Sequence, residues 1–238
     1  MNKKHLFLVL SDKGGTGKSL FTRGLADYII RNNQHKNTLF VDGDGEVGQL
    51  LQSYREYGVI SAQIIDQEQR DQFINILESD KKLVIVDLPA ASISHLTQLE
   101  QEMGFFNLIE QYDYKLTLCT VLSPFKASIR SVKAAIEFAQ NKASYVIVKN
   151  RFFGSDDDFH LYESGQGQKL LKSHKGLEIQ LPAISTGVLA ELDVHNLAFL
   201  KAIDNAKLKL AYRCRINTWQ HALDTELTKL NLFKKELP

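Results

Sequence analysis

The stretch Lys13-Gly14-Gly15-Thr16-Gly17-Lys18-Ser19 decides the fold of this chain. The apolar run 5–10 precedes it, and a helix-like segment from Leu20 to Arg31 follows it. A loop that wraps a polyphosphate must turn its backbone N–H groups inward, and glycines permit the dihedral angles that this requires. The N-terminus of the following helix adds a positive partial charge. The order of strand, glycine-rich loop and helix therefore predicts a phosphate-binding loop.

The polar residues of this loop have distinct predicted roles. The Lys18 ammonium group can reach the β- and γ-phosphates of a nucleotide as a point charge, and the Ser19 hydroxyl is placed to bind Mg²⁺. The backbone of four further residues would cradle the phosphates: Gly14, Gly15, Thr16 and Gly17. The sequence thus predicts a site for a nucleotide and its magnesium ion.

The loop departs from the usual pattern Gly-x-x-x-x-Gly-Lys-Ser/Thr, because Asp12 occupies the position of the first glycine and Lys13 follows it. In this respect the run resembles the deviant Walker A loop of the ParA/MinD superfamily of P-loop ATPases. The resemblance implies ATP and Mg²⁺ as cofactors. It also implies a nucleotide-dependent homodimer, in which Lys13 reaches the nucleotide of the partner subunit and acts with Lys18 in catalysis.

Composition sets the scale of the molecule and limits its partners. The 238 residues, 44% hydrophobic and 24% charged, are enough for one core, so we predict a single P-loop domain over 1–238 with a helical segment from about 201 to 238. A net charge of +1 indicates no general affinity for polyanions, so any contact with nucleic acid or membrane must be local. Two distant cysteines and the lack of a signal peptide or an apolar run of about 20 residues predict a cytoplasmic protein.

Short apolar runs alternate with helix-like segments along the chain. The predicted strands are 5–10, Thr38 to Val41, Leu83 to Val86, Leu116 to Leu122, Tyr145 to Val148 and Leu177 to Leu181. Helical patterns cover 18–32, 66–79 and Ser128 to Gln140. Runs that do not alternate with polar residues are typical of strands buried on both faces, as in a parallel sheet. The sequence therefore predicts a doubly wound, mostly parallel α/β domain of three layers, whose ligand lies beyond the carboxyl ends of the strands.

Carboxylates follow two of these strands. The second strand runs into Asp42-Gly43-Asp44-Gly45-Glu46, which resembles the Asp-x-Asp-Pro-Gln switch I of the family, with Gly45 and Glu46 in place of Pro-Gln. By that resemblance Asp44 would orient or deprotonate the attacking water, and Asp42 would support Mg²⁺. The third strand ends at Asp87, which can hold Mg²⁺ through a water and resembles the family's Asp-Thr-Pro-Pro switch II. Taken alone, each acid is also an ordinary residue for a turn after a strand.

Two further segments are predicted to contact the base. The fifth predicted strand is followed by Asn150-Arg151, which matches the Asn-Arg of the family, and an Asn amide offers the donor and the acceptor that suit the edge of adenine. Pro182 lies in a segment that resembles the family's Pro-containing base-lining segment. The resemblance covers about residues 4–200. Within the family, the short members of plasmid maintenance and conjugation, of the StbB or TraL kind, are the most similar.

The sequence gives a weaker signal for the molecule to which this protein binds. A segment that reads as helical, 201–215, carries five basic residues against one acid: Lys201, Lys207, Lys209, Arg213 and Arg215. A patch of this kind, doubled by dimerisation, predicts non-specific DNA binding, although a basic helix is often only a solvated face. A further protein that stimulates hydrolysis is expected from the family.

The C-terminal residues leave an alternative open. Trp219, Leu223, Leu227, Leu230 and Phe233 recur at helical spacing, with Lys229, Lys234 and Lys235 nearby. A membrane-targeting helix of the MinD kind would have this pattern, but Asp224, Glu226 and Glu236 favour a terminal helix that packs on the core.

Two other classes share the loop. An iron-cluster protein of the nitrogenase type would need a bridging cysteine, and neither Cys119 nor Cys214 lies in a matching segment. A bacterial tyrosine kinase usually ends in a tyrosine cluster, whereas only Tyr212 lies near the end of this chain.

Overall fold

The computed structural model describes residues 3–11 and 13–232. Within them, seven strands form one sheet in the order β3-β2-β4-β1-β5-β6-β7, and every neighbouring pair is parallel. The strands are β1 Lys4–Leu10, β2 Thr38–Asp42, β3 Ile60–Ser61, β4 Leu83–Asp87, β5 Tyr114–Leu122, β6 Ser144–Asn150 and β7 Leu177–Leu181. Because β1 is the middle strand, the glycine-rich loop leaves the sheet at the centre of its carboxyl edge.

Helices cover both faces of the sheet. In the described part of the chain they are α1 Lys18–Arg31, α2 Gln49–Tyr54, α3 Gln67–Asn75, α4 Ser92–Met103, α5 Phe105–Gln111, α6 Lys126–Ala139, α7 His160–Glu163, α8 Gln166–Ser173, α9 Thr186–Val194, α10 Phe199–Ala202 and α11 Leu210–Leu227. Successive residues of β1 alternate between two apolar clusters: Phe7 and Val9 join one, and Leu6 and Leu8 the other. Helices α1, α2, α9, α10 and α11 contribute to the first cluster, and α3 to α8 to the second. The predicted three-layer α/β fold is confirmed.

The predicted elements agree with the structure, which also contains elements that the sequence did not predict. All six predicted strands are present, extended by at most two residues at either end. The predicted helix 66–79 is α3 followed by a 3₁₀ turn, Ile76–Glu78. The sequence did not predict the strand β3 or the helices α2, α4, α5, α7, α8 and α9. A two-residue strand and helices of four to nine residues contain few periods, but α4 has 12 residues and was missed as well.

The segment 201–215, which reads as helical in the sequence, is helical only in part. Helix α10 ends at Ala202 and α11 begins at Leu210, so the residues between them form turns. The Asn205 side chain accepts a hydrogen bond from the backbone N–H of Lys207 at 2.9 Å. Asn favours such local turns over helical hydrogen bonding, which explains the interruption.

The C-terminal helix α11 packs on the core. The acidic residues of this segment favoured that arrangement over a membrane-targeting helix. Trp219, Leu223 and Leu227 are buried. Gly24 of α1 permits the close approach, because a Cβ atom there would lie 2.4 Å from the Leu223 Cδ2 atom. Among the described residues, no helix is long and apolar enough to cross a membrane. Phe233, Lys234, Lys235 and Glu236 lie outside the described residues.

Polar contacts also hold α11 against α1. The Gln220 side chain donates to the Asp27 carboxylate at 2.7 Å, and the Arg31 guanidinium donates to both carboxylate oxygens of Asp224 at 2.7 Å. Asp27 is buried and accepts a further hydrogen bond from the backbone N–H of Leu200 at 2.7 Å. Burial raises the pKa of Asp27, while hydrogen bonds from Arg31 and Gln220 oppose that shift. The C-terminal helix is therefore joined to α1 by apolar and by polar contacts.

Candidate nucleotide-binding site

A cleft of about 430 Å³ lies at the carboxyl edge of the sheet, within the size range of ligand pockets. The loop between β1 and α1 forms one side of it through Gly14, Gly15, Gly17, Lys18 and Ser19. The remaining lining comes from Leu20, Asp44, Gln49, Ala90, Asn150, Phe152, Phe153, Thr186 and Leu189. Segments that are far apart in the sequence therefore meet at the place predicted for the ligand.

The glycine-rich loop adopts a conformation that requires glycine. Gly15 and Gly17 have positive φ angles of 75° and 98°. A Cβ atom on Gly17 would lie 2.3 Å from the Asn150 Nδ2 atom, so a side chain there would have to displace the Asn150 amide. Helix α1 begins at Lys18, whose side chain is buried and lines the cleft. Backbone and ammonium group are thus arranged as a phosphate site requires.

Asp87 ends β4 and is buried next to this loop. The Ser19 hydroxyl donates a hydrogen bond to its carboxylate. The Oδ1 atom of Asp87 is buried and has no hydrogen-bond partner among residues 3–11 and 13–232. Burial raises the pKa of Asp87 to about 7, and the nearby carboxylates Asp42 and Asp44 add to this shift, while the Ser19 hydrogen bond and the Lys18 charge oppose it.

An unsatisfied carboxylate oxygen beside a hydroxyl is a suitable donor set for Mg²⁺. Magnesium is held by oxygen ligands and commonly by one or two carboxylates together with substrate phosphates. A buried polar atom without a partner is rare in folded proteins and costs free energy, which a bound cation would recover. Ser19 and Asp87 therefore fit the predicted ion.

Asp42 has a structural task as well. Its Oδ1 atom accepts a hydrogen bond from the backbone N–H of Asp44 at 3.0 Å, and its Oδ2 atom accepts one from the backbone N–H of Leu51 at 2.9 Å. Burial raises the pKa of Asp42, while the hydrogen bond from Leu51 opposes the shift. Asp42 thus holds the first turn of α2 and the loop before it, and its part in supporting Mg²⁺ stays a prediction.

Asp44 and Lys13 are both exposed, but of the two only Asp44 lines the cleft. Asp44 is the one carboxylate among the described residues that line the cleft. Lys13 is not among those lining residues, and its Nζ atom lies 4.6 Å from the centroid of the Phe125 ring. The loop therefore directs Lys18 into the cleft and Lys13 outside it.

The three residues predicted to contact the base are not brought together. Asn150 lines the cleft, but its Nδ2 atom donates to the Thr16 carbonyl oxygen at 2.8 Å and its Oδ1 atom accepts from the backbone N–H of Phe152 at 3.0 Å. Arg151 and Pro182 are absent from the described residues that line the cleft. Arg151 donates to Gln180 at 3.1 Å and pairs with Asp156, and the Pro182 carbonyl accepts from the Trp219 indole at 2.8 Å.

The five basic residues predicted to bind DNA are dispersed. Lys201 pairs with Glu56, and the Lys209 ammonium lies 5.5 Å from the centroid of the Tyr212 ring. Lys207 is exposed in the turn. Arg213 is half-buried and Arg215 exposed, and on a helix two residues apart lie about 200° around the axis. The structure does not form one basic stripe from them.

The two cysteines lie in different surroundings. Cys119 is buried inside β5, and Cys214 is exposed on α11. Over the ranges 3–11 and 13–232, no group of three or more His, Cys, Asp or Glu side chains could hold a metal by protein ligands alone.

Two curated proteins are similar to this chain over nearly their whole length. MobD of Acidithiobacillus ferrooxidans is 20% identical over 222 residues, which are 92% of this chain and 94% of MobD. TraL of Escherichia coli is 21% identical over 235 residues, which are 93% of this chain and 96% of TraL. No family model matches the chain.

Solved structures with the same fold include two MinD proteins. MinD of Pyrococcus horikoshii in complex with Mg-ADP superposes with a TM-score of 0.55 at 14% identity, covering 98% of this chain and 100% of that one. MinD of Aquifex aeolicus gives 0.53 at 16% identity and covers 98% of each chain. At these identities the likeness to the two MinD structures shows a shared fold. The resemblance predicted from the motifs of this chain is confirmed, and the fold is the ParA/MinD fold.

Several lining residues of this ParA/MinD fold were missed in the sequence. Phe152 and Phe153 directly follow Asn150-Arg151, so their place in the chain could have indicated them. Gln49 on α2 donates to Asp193 on α9 at 3.2 Å, and buried Arg23 pairs with the same Asp193 at 2.7 Å. No local pattern marks Gln49 or Asp193, because their contact depends on how α2 and α9 pack against α1.

Proposed function

We propose that this protein is a Mg²⁺-dependent ATPase whose ATP-bound form is a homodimer and whose hydrolysis step switches that dimer off. The observation that carries the proposal is the buried, unsatisfied Asp87 oxygen beside Ser19, directly behind the glycine-rich loop. The solved MinD of P. horikoshii holds Mg-ADP, which supports the same ligand class here.

Residues that line the cleft, together with Asp87 beside it, would each have a separate role in hydrolysis. Lys18 would bind the β- and γ-phosphates and neutralise charge that develops on them. Ser19 and Asp87 would hold Mg²⁺, which supplies Lewis-acid polarisation of the phosphoryl oxygens when bound. Asp44, the exposed carboxylate of the lining, would orient the attacking water and accept its proton.

Exposed residues outside the lining of the cleft support the proposed dimer. Lys13 is exposed and lies outside the lining, where a second subunit could meet it. Val47 follows Asp44 in the loop before α2 and is 78% exposed, and Val194 ends α9 and is 75% exposed. Exposed apolar side chains near a binding cleft are common at protein interfaces. Pairing across this face would bring Lys13 to the partner's nucleotide.

We infer that the switch serves the positioning or transfer of DNA in plasmid partition or conjugation, in the cytoplasm. The similarity to MobD and TraL supports this role, as do the exposed basic residues Lys207 and Arg215. A partner protein would stimulate hydrolysis. The membrane alternative is disfavoured because α11 directs Trp219, Leu223 and Leu227 into the core.

One substitution separates nucleotide binding from dimerisation. Lys13→Ala should retain the ATP affinity of a single subunit, because Lys13 lies outside the cleft, but it should abolish ATP-dependent dimers in multi-angle light scattering. Lys229→Ala, an exposed lysine paired with Glu226 on the C-terminal helix, serves as the matched control and should dimerise normally. Unchanged dimerisation of the Lys13→Ala variant would contradict the proposed pairing.

The role of the switch is tested by DNA binding. Fluorescence anisotropy of a labelled non-specific duplex at low salt should rise with protein and ATP·Mg²⁺ and should not rise with ADP·Mg²⁺. Asp44→Ala should prolong the ATP-bound state, since the phosphates are still held while water is not activated. Equal binding with both nucleotides, or none with either, would refute a DNA switch and leave the ATPase proposal to be judged by hydrolysis alone.

A further inference from the structure

We propose that Phe152, braced by Phe153, is the platform on which the base of the bound nucleotide stacks. This inference rests on the proposed nucleotide site and assigns its base-binding contact to residues that the motif resemblance did not include. Both rings line the same cleft as the glycine-rich loop. Because that loop would bind the phosphates, the rings lie where a nucleoside joined to those phosphates would extend.

The end of β6 connects the two parts of the cleft. Asn150 contacts the loop at the Thr16 carbonyl oxygen, and the 3₁₀ turn Arg151–Phe153 follows it directly. The backbone N–H of Phe152 donates to the Asn150 Oδ1 atom at 3.0 Å. The position of Phe152 relative to the phosphate loop is thus set by two hydrogen bonds through one side chain.

The rings themselves form a braced group. The centroids of Phe152 and Phe153 lie 5.4 Å apart at an interplanar angle of 89°, and Phe153 in turn meets Phe125 edge-on at 6.0 Å. Edge-to-face contacts of this kind favour particular ring orientations. Phe152 nevertheless remains 48% exposed at the cleft. A large apolar ring that is held in place and left open in a ligand cleft is suited to stacking.

The polar groups expected to recognise the base are already engaged. Asn150 uses its oxygen and one N–H group within the protein, and Arg151 is paired with Asp156 and Gln180 away from the lining. Stacking on an aromatic ring contributes substantially to base binding and requires no hydrogen bond from the protein. Phe152 is therefore the side chain that would supply most of the base affinity, while Asn150 joins β6 to the phosphate loop.

The test compares a ligand that has a base with one that lacks it. Isothermal titration calorimetry measures the affinities of ATP·Mg²⁺ and of tripolyphosphate·Mg²⁺ for the full chain and its variants. Phe152→Leu should weaken ATP binding by about 5- to 100-fold, as expected for the loss of one base stack, and should leave tripolyphosphate affinity unchanged. Phe152→Tyr keeps the ring and should stay within about threefold of the original ATP affinity.

Phe138→Leu is the matched control. It makes the same chemical change at a half-buried phenylalanine of α6 that packs against Phe106 and is absent from the described lining of the cleft. This variant should bind both ligands as the original protein does.

Each remaining outcome overturns a defined statement. Equal ATP affinity in Phe152→Leu and the original protein would refute the platform, as would equal affinities of the original protein for ATP and tripolyphosphate. A loss of tripolyphosphate affinity in Phe152→Leu would show that the ring supports the loop and not the base, and would also refute it. If the original protein binds neither ligand, the proposed nucleotide site itself fails.

Discussion

The cleft at the carboxyl edge of the sheet and the C-terminal region 199–232 contain similar side chains that lie in different surroundings. Lys18 and Ser19 at the start of α1 line the cleft, and Asp87 lies beside them at the end of β4, the strand next to β1. In the C-terminal region, basic residues that are closer together in the sequence disperse over a turn and around a helix. Parallel strands bring their carboxyl ends to one edge, whereas a helix distributes successive side chains around its axis. Closeness in sequence is therefore a weaker guide to a site than position at strand ends.

The largest expected effect tests whether the C-terminal helix belongs to the core. Leu223→Ala should lower the free energy of unfolding by about 2–5 kcal/mol, because it removes a buried side chain that packs against Gly24. Leu210→Ala, on the same helix but 67% exposed, should change it by less than about 0.5 kcal/mol. Urea denaturation followed by circular dichroism measures both. Equal free energies of unfolding for the two variants would contradict the packing of α11 on the core and favour the membrane-binding alternative.

The next effect separates the lysines of the two regions. Lys18→Ala should weaken ATP·Mg²⁺ binding by about 10- to 150-fold, the range expected when a charged hydrogen-bonding group is removed. Lys207→Ala should leave that affinity within twofold, since Lys207 lies in an exposed turn. Calorimetric titration of ATP·Mg²⁺ gives both values. A similar loss in the two variants would mean that the charge acts at long range and not in the cleft.

A third prediction concerns the pH dependence of stability without nucleotide. The Asp87 pKa of about 7 lies above its ordinary value of 3.8, so the folded state binds this proton more tightly than the unfolded state. The resulting stabilisation is full below about pH 4 and is lost as the pH rises through 7. Asp87→Asn removes this dependence.

The difference in unfolding free energy between Asp87→Asn and the original protein should therefore shift in favour of the variant by about 1–3 kcal/mol between pH 5 and pH 8. Urea denaturation at the two pH values measures it. The same variant should lose Mg²⁺-dependent ATP binding. A difference that does not vary with pH would show that Asp87 is ionised throughout this range.

The smallest effects concern the dispersed basic residues. Lys207→Ala and Arg215→Ala should each weaken non-specific DNA binding two- to fivefold and lower the salt slope by about one, as expected for single phosphate contacts. Lys201→Ala should have less effect, because Lys201 already pairs with Glu56. Anisotropy titrations at several salt concentrations test this order. Equal losses of DNA affinity in all three variants would indicate that all three side chains contact the DNA in the bound form.

The comparison also shows where prediction from sequence succeeded and where it did not. The phosphate loop, Asp87 and the six strands were predicted because glycine spacing and uninterrupted apolar runs are local signals. Arg151 and Pro182 were expected at the cleft from their motifs, yet their side-chain and backbone contacts lie elsewhere. Gln49, Thr186 and Leu189 had no local signal, since the packing of α2 and α9 brings them to the cleft.

The sequence by itself determined the loop that can bind phosphates, the positions of six strands, and the carboxylate at the end of β4. These features depend on backbone conformation and on side chains a few residues apart, which short-range chemistry specifies. Only the tertiary structure decided that Asp87 is buried with an unsatisfied oxygen, that Phe152 lines the same cleft as the glycine-rich loop, and that α11 turns its apolar face to α1. Burial and orientation depend on which surfaces pack together, and those surfaces come from segments far apart in the chain.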